Sequence, residues 1–561
     1  MRRHLMIGST IGRPARLLLL PLLAVTLLGG CGRDEKEQPA GAPAGARTPR
    51  RGGQVVTAWI AEPAGINVYT TPAAQPTTEL VNVVFSPLVQ EQPDFTEHPP
   101  TFAPELAKSY DWSPDHKNLT FHLREDALWS DGVPVTADDV RWTWQAQTDP
   151  AVAWDSSFMK REIRDVEVVD PHTVRFHFNR AYAKQMGDAN EGVILPKHAW
   201  SRLPFAKWRE SADWFKQHAV FSGPFVIASW TPQQEVVLQR NERYYLKDRP
   251  YLDRVVMRIT PDPGSALVQL LNGEVDFMAQ VPPSDAKRIK ADPHLDLKAY
   301  WSNLYVFIVW NNTDPLFADR DVRRALTLAI DRQAIVDTIL GPYGRVSVSP
   351  IITSIWAHDR TLKPLPYDPA EARRILESKG WKDSDGDGVL DRGGKPFAFD
   401  LPSNAGNQQR ADAAVMIQEQ LKRVGIRATP RVMEFNTLVA QSNAGKLPAM
   451  ILGLSLDTSL DLTGNFHSHQ IPGPGREGSN FERYANPELD RLLDQVAAEP
   501  DILKARPALD QIQQILYRDQ PVTLLWESQR LAPVNKRVHD AKPNVVRSLF
   551  NLKDWWVEPR R

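Results

Sequence analysis

Residues 119–144 read LTFHLREDALWSDGVPVTADDVRWTW. Leu119, Phe121 and Leu123 alternate with Thr120 and His122, the period of a strand with one face buried. Trp129-Ser-Asp131-Gly132 then has the composition of a turn, and Thr136-Ala-Asp138-Asp139-Val140 opens a helix. Strand, turn and helix thus follow one another within 26 residues, and the same alternation returns at Val174-Arg-Phe176-His-Phe178. His122 and His177 fall on the polar face of their strands, where solvated histidines are expected.

Further along, Asp368-Pro369-Ala-Glu371 supplies an N-cap, an N1 proline and an N3 acid. The helix they open runs through Ile375 and Leu376 to Gly380. Ala414, Ile417, Leu421 and Val424 mark one face of a second helix, ended by Gly425 before a strand-like stretch from Ile426. The expected fold class is α/β. At 561 residues the chain exceeds one hydrophobic core, with a prior of about three or four domains or lobes.

Composition narrows the function. Lys+Arg 67 against Asp+Glu 68 gives a formal charge of -1, without the positive surface that non-specific nucleic-acid binding requires. No nucleic-acid partner is expected. The patterns G-x-S-x-G, H-E-x-x-H and G-x-x-x-x-G-K-[ST] do not occur, which lowers the prior for the commonest hydrolases and P-loop enzymes.

The single cysteine is informative by position. Arg2, Arg3, Arg13 and Arg16 precede an apolar run, residues 17–28, that ends in Gly29-Gly30-Cys31. A basic start followed by a short apolar segment is an export signal, too short to span a bilayer as a mature helix. Leu28-Gly29-Gly30-Cys31 resembles the bacterial lipobox, which implies lipidation of Cys31 and removal of residues 1–30. That cleavage takes away four arginines and no acid, leaving a charge of -5. Residues 32–51, charged and then rich in Pro, Ala and Gly, read as a flexible tether.

Three other features invite a chemical reading. Asp383-Ser-Asp385-Gly-Asp387-Gly388-Val-Leu-Asp391 matches the first half of a calcium loop, but Gly394 stands where a bidentate Glu belongs, and a tight turn explains the same residues. His467 and His469, with Asp457 and Asp461 nearby in sequence, have the ligand types of a transition-metal site, although solvated loop histidines are the commoner outcome. Of the aromatic clusters Trp142/Trp144, Trp301/Tyr305/Trp310 and Trp555/Trp556, most are expected to pack in cores.

The stretch at 119–144 resembles the most recognisable segment of the family 5 extracellular solute-binding proteins, the peptide/nickel receptors of ABC importers. The similarity continues through GGQVVTAWIAEPAGIN at 52–67, APELAKSYDWSPD at 103–115, SGPFVIASW at 222–230 and NERYYLKDRPYL at 241–252. LLNGEVDF at 270–277, WNNTDPLFADRDVRRALTLAIDRQAIV at 310–336 and YDPAEARRILESKGW at 367–381 extend it, and it runs on through 465–536. The resemblance implies a two-lobed periplasmic-binding-protein-like fold of the large type II class, closing on a hinge. Lobe I would comprise 52–90, 205–298 and 526–561, with a domain inserted at 91–204, and lobe II would be 299–525.

It further implies a monomeric receptor, without catalysis or cofactor, that delivers a peptide or peptide-sized solute to a membrane permease while held by its lipid. In oligopeptide-binding relatives an aspartate after a Gly-Trp-x-x pattern takes the peptide's ammonium. The matching stretch here is Gly453-Leu454-Ser455-Leu456-Asp457, with leucine in place of the tryptophan and Ile451 where some relatives carry an arginine. Asp457, Gly453 and Ser455 are therefore expected at the ligand, together with Glu62, Asn67 and Gln75 beyond the first strand and Trp301, Asn303 and Tyr305 near the lobe crossing. The alternatives are a non-peptide or metal-chelate receptor, with His467 and His469 as the suggestive pair, and an envelope lipoprotein chaperone or enzyme that reuses the fold.

Overall fold

The stretch at 119–144 folds as its pattern predicts, in a computed structural model that describes residues 48–71, 74–473, 475–476 and 478–559. The segment expected to be an export signal, Cys31 and most of the expected tether lie outside the described residues. In chain order the first elements used below are β1 (Gln54–Trp59), α1 (Gln75–Val84), β2 (Ala107–Trp112), β3 (Asn118–Leu123) and α2 (Ala137–Thr148). The Asp139 carboxylate fixes the start of α2 by accepting the Thr136 N–H at 2.9 Å, and its other oxygen accepts the Lys197 N–H at 2.9 Å. Strands β4 (Ile163–Asp170) and β5 (Thr173–Phe178) complete an antiparallel sheet of order β2-β3-β5-β4. Leu119, Phe121, Val174 and Phe176 bury one face of it, each worth roughly 1.5–3 kcal/mol relative to exposure. On the other face His177 bridges Asn118 at 2.7 Å and Glu167 at 2.9 Å, so this histidine is half-buried and partnered rather than simply solvated.

Helix α3 (Gln185–Asn190) follows, then β6 (Phe225–Thr231), β7 (Glu235–Arg240), β8 (Arg254–Ile259), β9 (Phe277–Met278) and the long β10 (Leu295–Trp310). The remaining elements used below are β11 (Gly344–Val346), α4 (Pro369–Ser378), β12 (Ala398–Asn404), α5 (Gln408–Lys422), β13 (Arg427–Met433), β14 (Ala449–Ser455), α6 (Pro487–Ala498) and β15 (Val522–Asn535). Nine strands form one mixed sheet of order β14-β10-β15-β9-β1-β8-β7-β6, with β11 added beside β15. β12 and β13 pair in parallel.

β10 runs through three separate cores, and β15 through these and a fourth. The first part of β10 places Leu295 against Val56, Leu267 and Leu531, in the body built on β1 and β8. Its second part alternates between two other cores, with Val306, Ile308 and Trp310 on one face and Tyr305, Phe307 and Val309 on the other. Between the two parts the pairing slips: Trp301 faces Gln529, and Tyr305 faces Glu527. The extra residues of this bulge give the paired strands a place to bend. The lobe boundaries expected at 298/299 and 525/526 thus fall within two continuous strands. One further contact ties the segments together: Phe95 is buried in the core of Tyr305 and Phe307 beside Trp356, whose backbone N–H donates to the Phe95 carbonyl at 2.9 Å.

Candidate functional site

β14 delivers the predicted site. Val306 pairs with Gly453 and Leu304 with Ser455, and β14 ends there. The chain beyond is fixed by Asn303, whose side-chain amide donates to the Leu456 carbonyl at 2.9 Å while its own carbonyl accepts the Leu456 N–H at 2.9 Å. Asn303, expected to face ligand, is instead committed to positioning the turn that carries Asp457.

Asp457 closes that turn on itself by accepting the Ser459 N–H at 2.9 Å and the Ser459 hydroxyl. Its side chain is 60% exposed, and Oδ2 lies 3.7 Å from Lys184 Nζ, which comes from just before α3. Two more carboxylates sense it. Glu91, which accepts the Thr458 hydroxyl at 2.9 Å, is raised by burial first and by the Asp457 charge further, against the Thr458 bond. Asp188, bonded to the Tyr182 hydroxyl at 2.7 Å, is raised by burial and, in smaller part, by Asp457, against the nearby Lys184 and Lys160. Lys160 is buried beneath them and donates to the Asp188 and Glu191 carbonyls; burial pushes its ammonium down to about 8. This end of the site suits a cationic group.

Gly453 meets a residue that sequence reasoning missed. A Cβ at 453 would lie 2.1 Å from Arg410 Nη2, so any other residue would oblige the guanidinium to shift from its present place. Arg410 sits in the first turn of α5, where its N–H is capped by Asn407 at 3.1 Å, and its Nη1 donates to Asn404 Oδ1 at 2.7 Å. It is 8% exposed, and Nε has no hydrogen-bond partner. Burial lowers its pKa with no carboxylate opposing the shift. A buried cation with no counter-ion among the described residues, beside Gly453 of β14, is chemically suited to an anion. The available signal was positional: Arg410 follows the end of β12 by six residues, at the start of a helix.

The other predicted residues divide. Glu62 accepts the Trp230 indole N–H at 2.6 Å and the Gln233 N–H at 3.1 Å, so both oxygens brace a hairpin. Asn67 is buried, its Oδ1 taking the Tyr69 N–H at 3.1 Å and its Nδ2 left without a partner. Gln75 is exposed as the first residue of α1. Ser455 is exposed at the end of β14, beside the expected position. Trp301 is half-buried beneath the Arg345 guanidinium, 3.7 Å above its ring, and Arg345 in turn pairs with the fully buried Glu527 at 2.7 Å. Tyr305 corrects the expectation: it is 0% exposed, because its position in β10 faces the core that holds Phe307 and Val309.

His467 and His469 do come together, with ring centroids 3.8 Å apart. His467 is buried, lies 3.5 Å from Asp490 and 3.4 Å from Asp494, and accepts the His469 N–H on Nδ1 at 3.2 Å. These contacts dock the loop onto α6. Among the described residues, the one group of three or more metal-ligating side chains is Asp383, Asp385 and Asp387. Asp383 there accepts the N–H groups of Gly386 and Gly388 at 2.8 and 3.1 Å, as a tight turn requires.

Concave surface occurs elsewhere as well. A depression of about 350 Å³ is lined by Asp296, Lys298, Lys536, His539 and Lys542 at the far ends of β10 and β15. Neither it nor a cavity of about 30 Å³ beside Glu105 and Tyr244 borders Asp457 or Gly453. The charges that converge on β14 make the better site.

Two lobes sharing a pair of long strands, with opposite charges gathered where one strand ends, define a protein of the two-lobed binding-protein class. The chain belongs to the bacterial extracellular solute-binding proteins, family 5, whose middle-region profile matches residues 101–468. It is 31% identical over 553 residues to the oligopeptide-binding protein AppA of Bacillus subtilis, covering 97% of this chain and 99% of that one. The structure of that AppA in complex with a nonapeptide superimposes with a TM-score of 0.75 at 30% identity, over 91% of this chain and 100% of the other. NikZ from Campylobacter jejuni, solved with Ni(L-His), shares the fold with a TM-score of 0.74 at 24% identity, over 90% and 99% of the two chains.

Proposed function

We propose that this chain is the substrate-binding subunit of an ABC importer that captures peptides between its lobes and presents them to a membrane permease. The single observation that carries the reading is the near full-length similarity to an oligopeptide-binding protein. The charge arrangement supports it. Asp457 takes the peptide's ammonium, Arg410 takes a carboxylate of the same ligand, and the backbone of β14 beyond Gly453 offers groups that bind a peptide without reading its side chains.

The lobes comprise 52–90, 205–298 and 526–561 on one side and 299–525 on the other, with 91–204 inserted. Closure bends the strand pair at the slip between Trp301 and Tyr305. The protein binds and releases its ligand as a monomer without altering it. Cys31 carries the lipid that holds it at the envelope membrane, and no helix among the described residues is long and apolar enough to cross one.

Calorimetric titration with peptides and their N-acetylated counterparts tests the reading. Asp457→Asn is expected to weaken free-amine peptides about 10- to 100-fold, the range for a charge-assisted hydrogen bond, and to leave acetylated ones nearly unchanged. Equal binding of both peptide forms by the parent chain would remove Asp457 from the site. Failure of every peptide pool would remove the peptide.

A further inference from the structure

Asp457 already has an ammonium beside it. Lys184 Nζ lies 3.7 Å from its Oδ2, and the lysine belongs to the 91–204 segment whereas the aspartate follows β14. The contact therefore crosses between two segments, alongside the Thr458 to Glu91 hydrogen bond of 2.9 Å. Of the two lysines in this cluster, Lys160 is buried and held by two backbone carbonyls. Lys184 is different: its side chain is 24% exposed and its partner 60%. An ion pair of that exposure is weak and opens readily.

Asp457, Glu91 and Asp188 are close enough for each of the last two to feel the first. Without a cation among them, their mutual repulsion would work against the approach of the two segments. The ammonium of Lys184 supplies that cation in the same place where a ligand's amino terminus would supply it.

We propose that Lys184 is a tethered stand-in for the ligand's ammonium, pairing with Asp457 while the site is empty and displaced when a free amino terminus arrives. This rests on the peptide reading above. Exchange of one ammonium for another leaves the charge around Asp457 unchanged, so Lys184 offsets part of the affinity that the ligand's ion pair would otherwise contribute. Lys184 thereby lowers the advantage of a free amino terminus and leaves the remaining contacts to select the ligand. It also lets the segments meet with no ligand present.

The test compares the parent chain with Lys184→Met and Lys184→Arg by calorimetric titration with one peptide and its N-acetylated form. Lys184→Met is expected to bind the free-amine peptide about 2- to 5-fold more tightly, the scale of an exposed ion pair. The acetylated peptide should be unaffected, and Lys184→Arg should behave as the parent. Weaker binding of the free-amine peptide, an equal change for both peptides, or no change would each overturn the proposal. If no peptide binds any of the three chains, the peptide reading falls, and the pairing is decided without ligand by the melting temperatures of Lys184→Met, Asp457→Asn and the double variant. Non-additive shifts then sustain the Lys184–Asp457 pairing, and additive shifts overturn it.

Discussion

Arg410 and Glu482 are both buried in the 299–525 segment, one at the start of α5 against Gly453 and the other in the loop before α6, and neither has an opposite charge to pair with among the described residues. Arg410 makes one side-chain hydrogen bond, to Asn404, and its Nε is orphaned. Glu482 is 3% exposed, its Oε1 is orphaned, and burial pushes its carboxyl up to about 8. The two groups have different ways out. A carboxyl takes up a proton and becomes neutral, whereas a guanidinium stays charged at any pH a protein tolerates. Lack of a partner is therefore a local structural matter at Glu482, whereas at Arg410 it leaves a standing charge, which is why the proposed site gives that residue an anion.

The largest effect is expected from Glu482→Gln. The folded state holds a proton on Glu482 up to about pH 8, while an unfolded glutamate loses its proton near 4.5. Stability contributed by the neutral form is present in full below about pH 4.5 and falls as pH rises towards 8, by on the order of 4 kcal/mol. Glutamine keeps the shape and removes the titration. Denaturant melts between pH 5 and 8 should show a slope in the parent that flattens in the variant; parallel curves would mean that a cation reaches Glu482 and would break the contrast.

Gly453→Val sharpens the other side. Its side chain must displace the Arg410 guanidinium, at about 1–3 kcal/mol of stability. Measured binding should lose its dependence on a ligand carboxylate together with that stability. A valine tolerated without either loss would show that Arg410 moves freely.

The smallest stability change is expected from Arg410→Met. Because no buried acid is left behind, unfolding free energy should stay within about 1 kcal/mol of the parent or rise. Affinity for a peptide should nevertheless fall about 10-fold or more relative to its C-terminal amide. Destabilisation of about 3 kcal/mol or more would reveal a counter-ion and end the comparison.

Two of the helices read from sequence differ in how much their patterns told. For α4, the N-cap at Asp368, which accepts the Glu371 N–H at 2.9 Å, was legible because every group involved lies within four residues. The apolar face of α5 was legible too, as Ala414, Ile417 and Leu421 lie in the core. Its first turn was not, because the meaning of Arg410 depends on Gly453 lying against it. Asp457 was singled out through its family pattern. Asn303 and Tyr305 were misjudged because proximity to the crossing says nothing about direction: one residue is committed to the Leu456 backbone and the other points into a core.

By itself the sequence determined the α/β class, the family and those elements whose patterns are local, and it singled out Asp457 as the candidate for a ligand's ammonium. Alternation, capping and turn composition act over a few residues, where backbone geometry alone sets which side chains share a face. Only the tertiary structure decided that Lys184 meets Asp457 and that Arg410 lies on Gly453 without an acid. Those placements depend on which strand ends and loops the packed cores bring together, and each joins segments far apart in the chain.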